Sequence, residues 1–119
     1  MQTIMAVDDS ESIRQMVSFS LKMKNYNVLE AENGREACKK MEQCKADLLI
    51  TDLDMPEMNG IELIRRIRLF PHYQKTPVII LTTHSDREMK QQAKDAGATA
   101  WITKPFRPSQ LLALVEKVL

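Results

Sequence analysis

The sequence predicts a doubly wound α/β domain: a five-stranded parallel sheet with helices on both faces. Three observations predict it. Five short apolar runs alternate with amphipathic stretches along the 119 residues. Most of those runs are nearly continuous in apolar residues, as a parallel sheet covered on both faces requires. The stretches between them repeat apolar residues at helical spacing and open on residues that cap helices. Five βα units in this length fill one domain, and such alternation builds a single parallel sheet.

Thr3–Val7 reads as the first strand. The helix after it carries Ile13, Met16, Val17, Ser20 and Leu21 on one face, with Asp9 or Ser10 as its N-cap. Asn27–Ala31 reads as the second strand, and Asn33 opens a second helix marked by Ala37, Met41 and Cys44. Leu48–Thr51 reads as the third strand, and Asn59 opens a third helix marked by Ile61, Ile64 and Ile67. Asn59-Gly60 is also a hairpin signal, but its flanks do not alternate, so a helix start fits better. Val78–Thr82 reads as the fourth strand. Met89, Ala93 and Ala96 mark the fourth helix, and Gly97 stands where a left-handed cap is expected. The apolar face of this helix is mostly alanine. Few buried contacts imply low local stability, which suits a segment that moves or meets a partner. Ala100–Ile102 reads as the fifth strand. Leu111, Leu112, Val115 and Val118 mark the fifth helix, with Pro108 near its first turn. The chain stops with this helix, so residues 1–119 read as one domain with no second one attached.

Composition excludes several classes. With 17 basic and 16 acidic residues the net charge is +1, which leaves no electrostatic footprint for nucleic acid. No apolar run approaches the ~20 residues of a membrane span, and the N-terminus lacks a signal-peptide layout. The chain reads as cytoplasmic. Cys38 and Cys44 are six apart, outside C-x-x-C spacing, and read as small core or boundary residues on a helix. His72 reads as a loop residue without a role, and Arg65, Arg66 and Arg68 as the wet face of the third helix.

The chemistry lies at the strand ends. Asp8 and Asp9 follow the first strand, Asp52 and Asp54 come at the end of the third, and Lys104 follows the fifth. In a parallel sheet these carboxyl ends converge on one crevice. At an effective dielectric near 20, two like charges ~4 Å apart cost about 4 kcal/mol. Four carboxylates together therefore call for a cation, and hard oxygen ligands suit a magnesium ion, Mg²⁺. Asp52, at the start of a loop, can act as a nucleophile towards phosphorus and form an aspartyl phosphate. Asp8 or Asp9 can hold the metal, Lys104 can ion-pair with the phosphoryl group, and the Thr82 hydroxyl can hydrogen-bond one of its oxygens. Phosphoryl transfer needs chiefly positioning and charge neutralisation, and this set offers both.

Taken together, Val7-Asp8-Asp9-Ser10, the segment from Ile50 to Gly60, Leu81-Thr82-Thr83 and Lys104-Pro105-Phe106 resemble the receiver domain of bacterial two-component response regulators. The resemblance covers essentially the whole chain. It is nearest to single-domain chemotaxis members, a likeness strengthened by Ser12-Ile13-Arg14-Gln15-Met16-Val17 and by the stretch from Gly97 to Phe106 with Trp101. It implies a flavodoxin-like fold with strand order 2-1-3-4-5. It also implies that Asp52 is the phosphoacceptor, taking the phosphoryl group from a CheA-like histidine kinase. Asp9 and Asp52 would ligate Mg²⁺ directly, Asp8 through water, and the Asp54 backbone carbonyl would complete the protein ligands. Thr82 would move to bond the phosphoryl group, Lys104 would salt-bridge to it, and Trp101 would be the rotating switch aromatic. The Lys104-Pro105 bond is commonly cis in the family. The expected outcome is altered partner binding on the face formed by the fourth helix, fifth strand and fifth helix. The partner expected is an output protein such as a flagellar motor switch component, with a phosphatase as a further partner. A phosphorelay intermediate or phosphate sink outside chemotaxis would look much the same.

Two rivals belong to other classes. Asp52-Leu53-Asp54 is the Asp-x-Asp of haloacid-dehalogenase-type phosphatases, with Thr82 and Lys104 available for the later roles. The acidic pair precedes that motif here, Met55 replaces a small or β-branched residue, and little chain is left for a cap domain. A phosphorylation-independent binding module is disfavoured by the full set Asp8, Asp9, Asp52, Thr82 and Lys104. Asp54 stands where chemotaxis members often have Asn, His84 follows Thr82 by two, and Thr83 replaces a smaller residue. Asp54 and His84 are candidates to tune phosphoryl lifetime, and the bulk of Thr83 to limit the inward swing of Trp101.

Overall fold

A computed structural model describes residues Met1–Leu119. The elements alternate as β1 (Thr3–Val7), α1 (Glu11–Lys22), β2 (Asn27–Ala31), α2 (Gly34–Gln43), β3 (Leu48–Asp52), α3 (Gly60–Ile67), β4 (Val78–Thr82), α4 (Arg87–Ala96), β5 (Ala100–Thr103) and α5 (Pro108–Val118). A 3₁₀ turn at Pro71–Tyr73 precedes β4. Every strand pairing is parallel and the order is β2-β1-β3-β4-β5. The expected flavodoxin-like order is therefore the observed one. β3 and β5 each run one residue past their expected ends, to Asp52 and Thr103.

Strand alternation divides the core in two. Met5, Val7, Leu49, Val78 and Ile80 face α2, α3 and α4, whose Met41, Ile61, Ile64, Ile67 and Ala93 complete that layer. Ile4, Ala6, Leu48, Ile50, Ile79 and Leu81 face α1 and α5 through Val17, Leu21, Leu111 and Val115. β1, β3 and β4 are apolar on both faces for this reason. β2 and β5 are the edge strands, and no residue of β5 is fully buried. No helix is long and apolar enough to cross a membrane.

Helix starts follow the expected caps. Ser10, not Asp9, caps α1 by accepting from Ile13 N–H. Asn33 and Asn59 cap α2 and α3 in the same way, and α4, for which no N-cap was expected, is capped by Asp86. Gly97 ends α4 at φ 112°, with Ala98 N–H donating back to Ala93 O at 2.9 Å. That left-handed position is open to glycine at little cost. α4 buries Ala93 alone, as its alanine-rich face predicts.

Two expectations need correction. Cys44 is not on a helix face: it lies just past the end of α2, extended and exposed, while Cys38 is half-buried. Arg68 is not on a wet face. It follows α3, and its guanidinium turns inward to donate to Tyr73 O and, at 2.6 Å, to Gly97 O. A helix wheel misplaces it because its long side chain reaches back to two carbonyls on other elements. Arg65 and Arg66 are exposed as expected.

Candidate functional site

The order reverses between β2-β1 and β3-β4-β5, so the crevice lies beyond the carboxyl ends of β1 and β3. β1 delivers Asp8 and Asp9 to it and β3 ends on Asp52. β4 ends on Thr82 beside β3, with Asp52 paired to Leu81 in the ladder. Lys104 follows β5, two strands from β3, and its length spans the gap. Its Nζ lies 3.2 Å from Asp8 Oδ2 and 3.2 Å from Asp52 Oδ1. The Lys104-Pro105 bond is cis, as the resemblance implied.

One carboxylate oxygen each from Asp8, Asp9 and Asp52 comes within 4.8 Å of the others. Asp8 and Asp52 are buried and Asp9 is exposed. Asp8 is anchored further by Ser10 N–H donating to its Oδ1 at 2.9 Å. With all groups ionised, three carboxylates and one ammonium leave two formal charges uncompensated. The strain shows on Asp52. Burial, then the neighbouring Asp8 charge, pushes its carboxyl up to about 6 against the pull of Lys104. A hard, all-oxygen donor set with that residual charge fits a divalent cation such as Mg²⁺.

Asp54 departs from the expected four-carboxylate cluster. Its carboxylate is exposed and turned away from the other three, with Oδ2 accepting from Thr82 Oγ1 at 3.4 Å and Oδ1 lying 3.0 Å from His84 Nε2. Thr82 is wholly buried, and its Oγ1 also accepts from His84 N–H at 3.1 Å. Trp101 is half-buried on β5; its Nε1 donates to His84 O at 3.3 Å and Lys90 Nζ stands 5.9 Å from its ring. Thr83 is exposed.

Two residues near the site escaped the sequence reading. A Cβ on Gly60 would stand 2.5 Å from the carbonyl oxygen of Asp52, so glycine alone lets α3 begin this close to the end of β3. Asn59-Gly60 had signalled a helix start but not this close approach. Arg14 on α1 donates to Asp8 O at 2.8 Å and pairs with Glu30 at 3.3 Å. It braces the backbone that carries Asp8. An arginine among the apolar positions of a helix next to an acidic pair was the available signal.

The chain is similar to known proteins over nearly its whole length. The family model of the response regulator receiver domain matches residues 4–116. The phosphate regulon transcriptional regulatory protein PhoB of Pseudomonas aeruginosa is 39% identical over 118 residues, covering 99% of this chain but 52% of its own length. The chain thus spans about half of that relative. Chemotaxis protein CheY1 of Helicobacter pylori is 37% identical and covers 98% of this chain and 95% of its own. Chemotaxis protein CheY4 of Vibrio cholerae superposes with a TM-score of 0.97 at 44% identity, covering 100% of this chain and 99% of its own.

Proposed function

The chain belongs to the response regulator receiver family, and on that premise we propose that it is a phosphorylation-controlled signalling switch with Asp52 as phosphoacceptor. The observation that carries this is the Asp52 carboxylate at the end of β3, held between Lys104 and the Asp8–Asp9 pair. An Asp52 oxygen forms the new O–P bond as the P–N bond to a phosphohistidine of a histidine kinase breaks, and the departing imidazole keeps the electron pair and takes up a proton. Mg²⁺ held by Asp8, Asp9, Asp52 and the Asp54 backbone carbonyl would draw charge from the phosphoryl oxygens. Lys104, already at 3.2 Å from Asp52, transfers its ion pair to the phosphoryl group. Thr82, at the end of the adjacent strand, donates its hydroxyl to another oxygen.

The output face is the surface of α4, β5 and α5. Trp101 sits between two shallow apolar grooves there. One, of about 550 Å³, lies against α5 with Ile102, Pro105 and Leu114; the other, of about 370 Å³, lies against α4 with Ala93 and Ala98. A shift of Trp101 reshapes both. The identities with CheY1 and CheY4 favour a chemotaxis role, with a CheA-like kinase as donor and a motor switch component as target. The PhoB likeness keeps a receiver outside chemotaxis as the second reading.

Trp101 is the sole tryptophan and reports the test. Mg²⁺ followed by beryllofluoride should change its fluorescence, a small-molecule phosphodonor should add one phosphoryl mass, and Asp52→Asn should lose both responses. Wild-type protein that gains neither signal nor mass overturns the proposal.

A further inference from the structure

His84 makes three contacts with three parts of the switch. Its backbone N–H donates to Thr82 Oγ1 at 3.1 Å, its Nε2 lies 3.0 Å from Asp54 Oδ1, and its carbonyl accepts from Trp101 Nε1 at 3.3 Å. An ionised carboxylate only accepts, so Nε2 carries the proton in this contact. Asp86 flanks the far side of the ring, 3.7 Å from Nδ1. The second Asp54 oxygen accepts from the Thr82 hydroxyl at 3.4 Å. A hydroxyl has one proton to donate. While Thr82 gives it to Asp54, it cannot give it to a phosphoryl oxygen on Asp52.

We propose that the Asp54–His84 pair is a latch that holds Thr82 and Trp101 in the resting arrangement, so that its strength sets the threshold for switching. The proposal rests on the receiver reading above. Asp54 grips the side chain that must turn, and His84 ties that grip to the indole on the output face. A ligand on Asp52 shifts the resting and active states only by the difference in its contacts with them. Every contact made solely in the resting state works against that difference. Both side chains are about half exposed, at 53% for Asp54 and 44% for His84, which keeps the latch weak enough to release.

Electrostatics and the latch predict opposite signs at His84, and this makes the idea testable. Removing the imidazole leaves the Asp54 charge in place with less compensation, so charge alone weakens binding of an anion at Asp52. Loss of the latch strengthens it. Wild type, His84→Ala, His84→Gln, Asp54→Ala and the double alanine variant would be titrated with beryllofluoride at saturating Mg²⁺. Fluorine NMR reads the bound ion and Trp101 fluorescence reads the switch. His84→Ala should lower the midpoint about two- to tenfold, the range expected from one hydrogen bond. Asp54→Ala should lower it at least as far, the double variant should add little to Asp54→Ala, and His84→Gln should return towards wild type. Mg²⁺ affinity without beryllofluoride should stay within about twofold in His84→Ala, below the effect of one net hydrogen bond. An unchanged or raised midpoint in His84→Ala overturns the latch and leaves the receiver reading standing. So does a matching change in Mg²⁺ affinity, which would locate the effect in the metal site. Wild type that binds Mg²⁺ yet never takes up beryllofluoride overturns the receiver reading and the latch with it.

Discussion

At the residue scale, Asp52 carries a charge that the folded chain resists. Burial and Asp8 raise its carboxyl from 3.8 to about 6 despite Lys104. Because the folded state binds this proton more tightly than the unfolded state, Asp52 favours folding below its unfolded pKa. That contribution is lost as pH rises through the folded value near 6. At about 1.4 kcal/mol per pH unit, the rise corresponds to roughly 3 kcal/mol of relative destabilisation at neutral pH. Asn has the same shape and no charge. In Mg²⁺-free buffer at about pH 7.5, Asp52→Asn should therefore exceed wild type by about 1–3 kcal/mol, with the advantage gone near pH 4. Urea titrations at several pH values check this, and an advantage that persists in acid would point to packing instead of charge. The place of this residue in the crevice was legible in the sequence because a strand end is a local feature. Asp8, Asp9, Thr82 and Lys104 were legible for the same reason. The direction of the Asp54 carboxylate was not. It depends on His84, 30 residues away, and no spacing rule records such a contact.

At the element scale, apolar runs placed every strand, and Asn33, Asn59 and Gly97 marked helix ends correctly. Period and capping are written in adjacent residues. What holds one helix against another is not, and Arg68 shows why. From the end of α3 it donates to the carbonyls of Tyr73 and Gly97, so it ties down the C-terminal end of α4. The other end of α4 begins at Asp86, beside the His84 junction. The helix is thus pinned at one end and lightly held at the end nearest the switch. Arg68→Met keeps the aliphatic stem and removes both charge-assisted bonds. It should lower stability by about 2–4 kcal/mol, since hydrogen bonds to charged groups contribute about 1.5–3 kcal/mol each and losses at shared sites are not additive. Hydrogen exchange should quicken in α4 more than in α2. Equal acceleration across both helices would mean that Arg68 supports the domain generally and not this end of α4.

At the scale of the whole molecule, the acidic pocket is where the sheet meets its own charge. β1 and β3 bring three carboxylates together, and β5 reaches over β4 with one lysine that serves two of them. The fold accepts this arrangement because its two apolar layers hold the strands in place regardless of the pocket. A divalent cation that binds only the folded state adds stability as RT ln(1 + [L]/Kd), about 1.4 kcal/mol at ten times Kd and about 2.7 kcal/mol at a hundred times. Mg²⁺ should therefore raise the melting temperature of wild type and leave Asp52→Asn and Asp9→Asn with a much smaller gain, chelation reversing the effect. Asp54→Ala should keep most of the gain, because its carboxylate contacts Thr82 and His84 and is not one of the three grouped in the pocket. The same titration then reverses the order set by charge alone. Without Mg²⁺, Asp52→Asn is the more stable protein; with Mg²⁺ well above its Kd, wild type closes the gap or overtakes it. If Mg²⁺ raised all four proteins equally, its site would lie elsewhere. The raised carboxyl of Asp52 would then be a standing burden on the fold and not a charge kept for a cation.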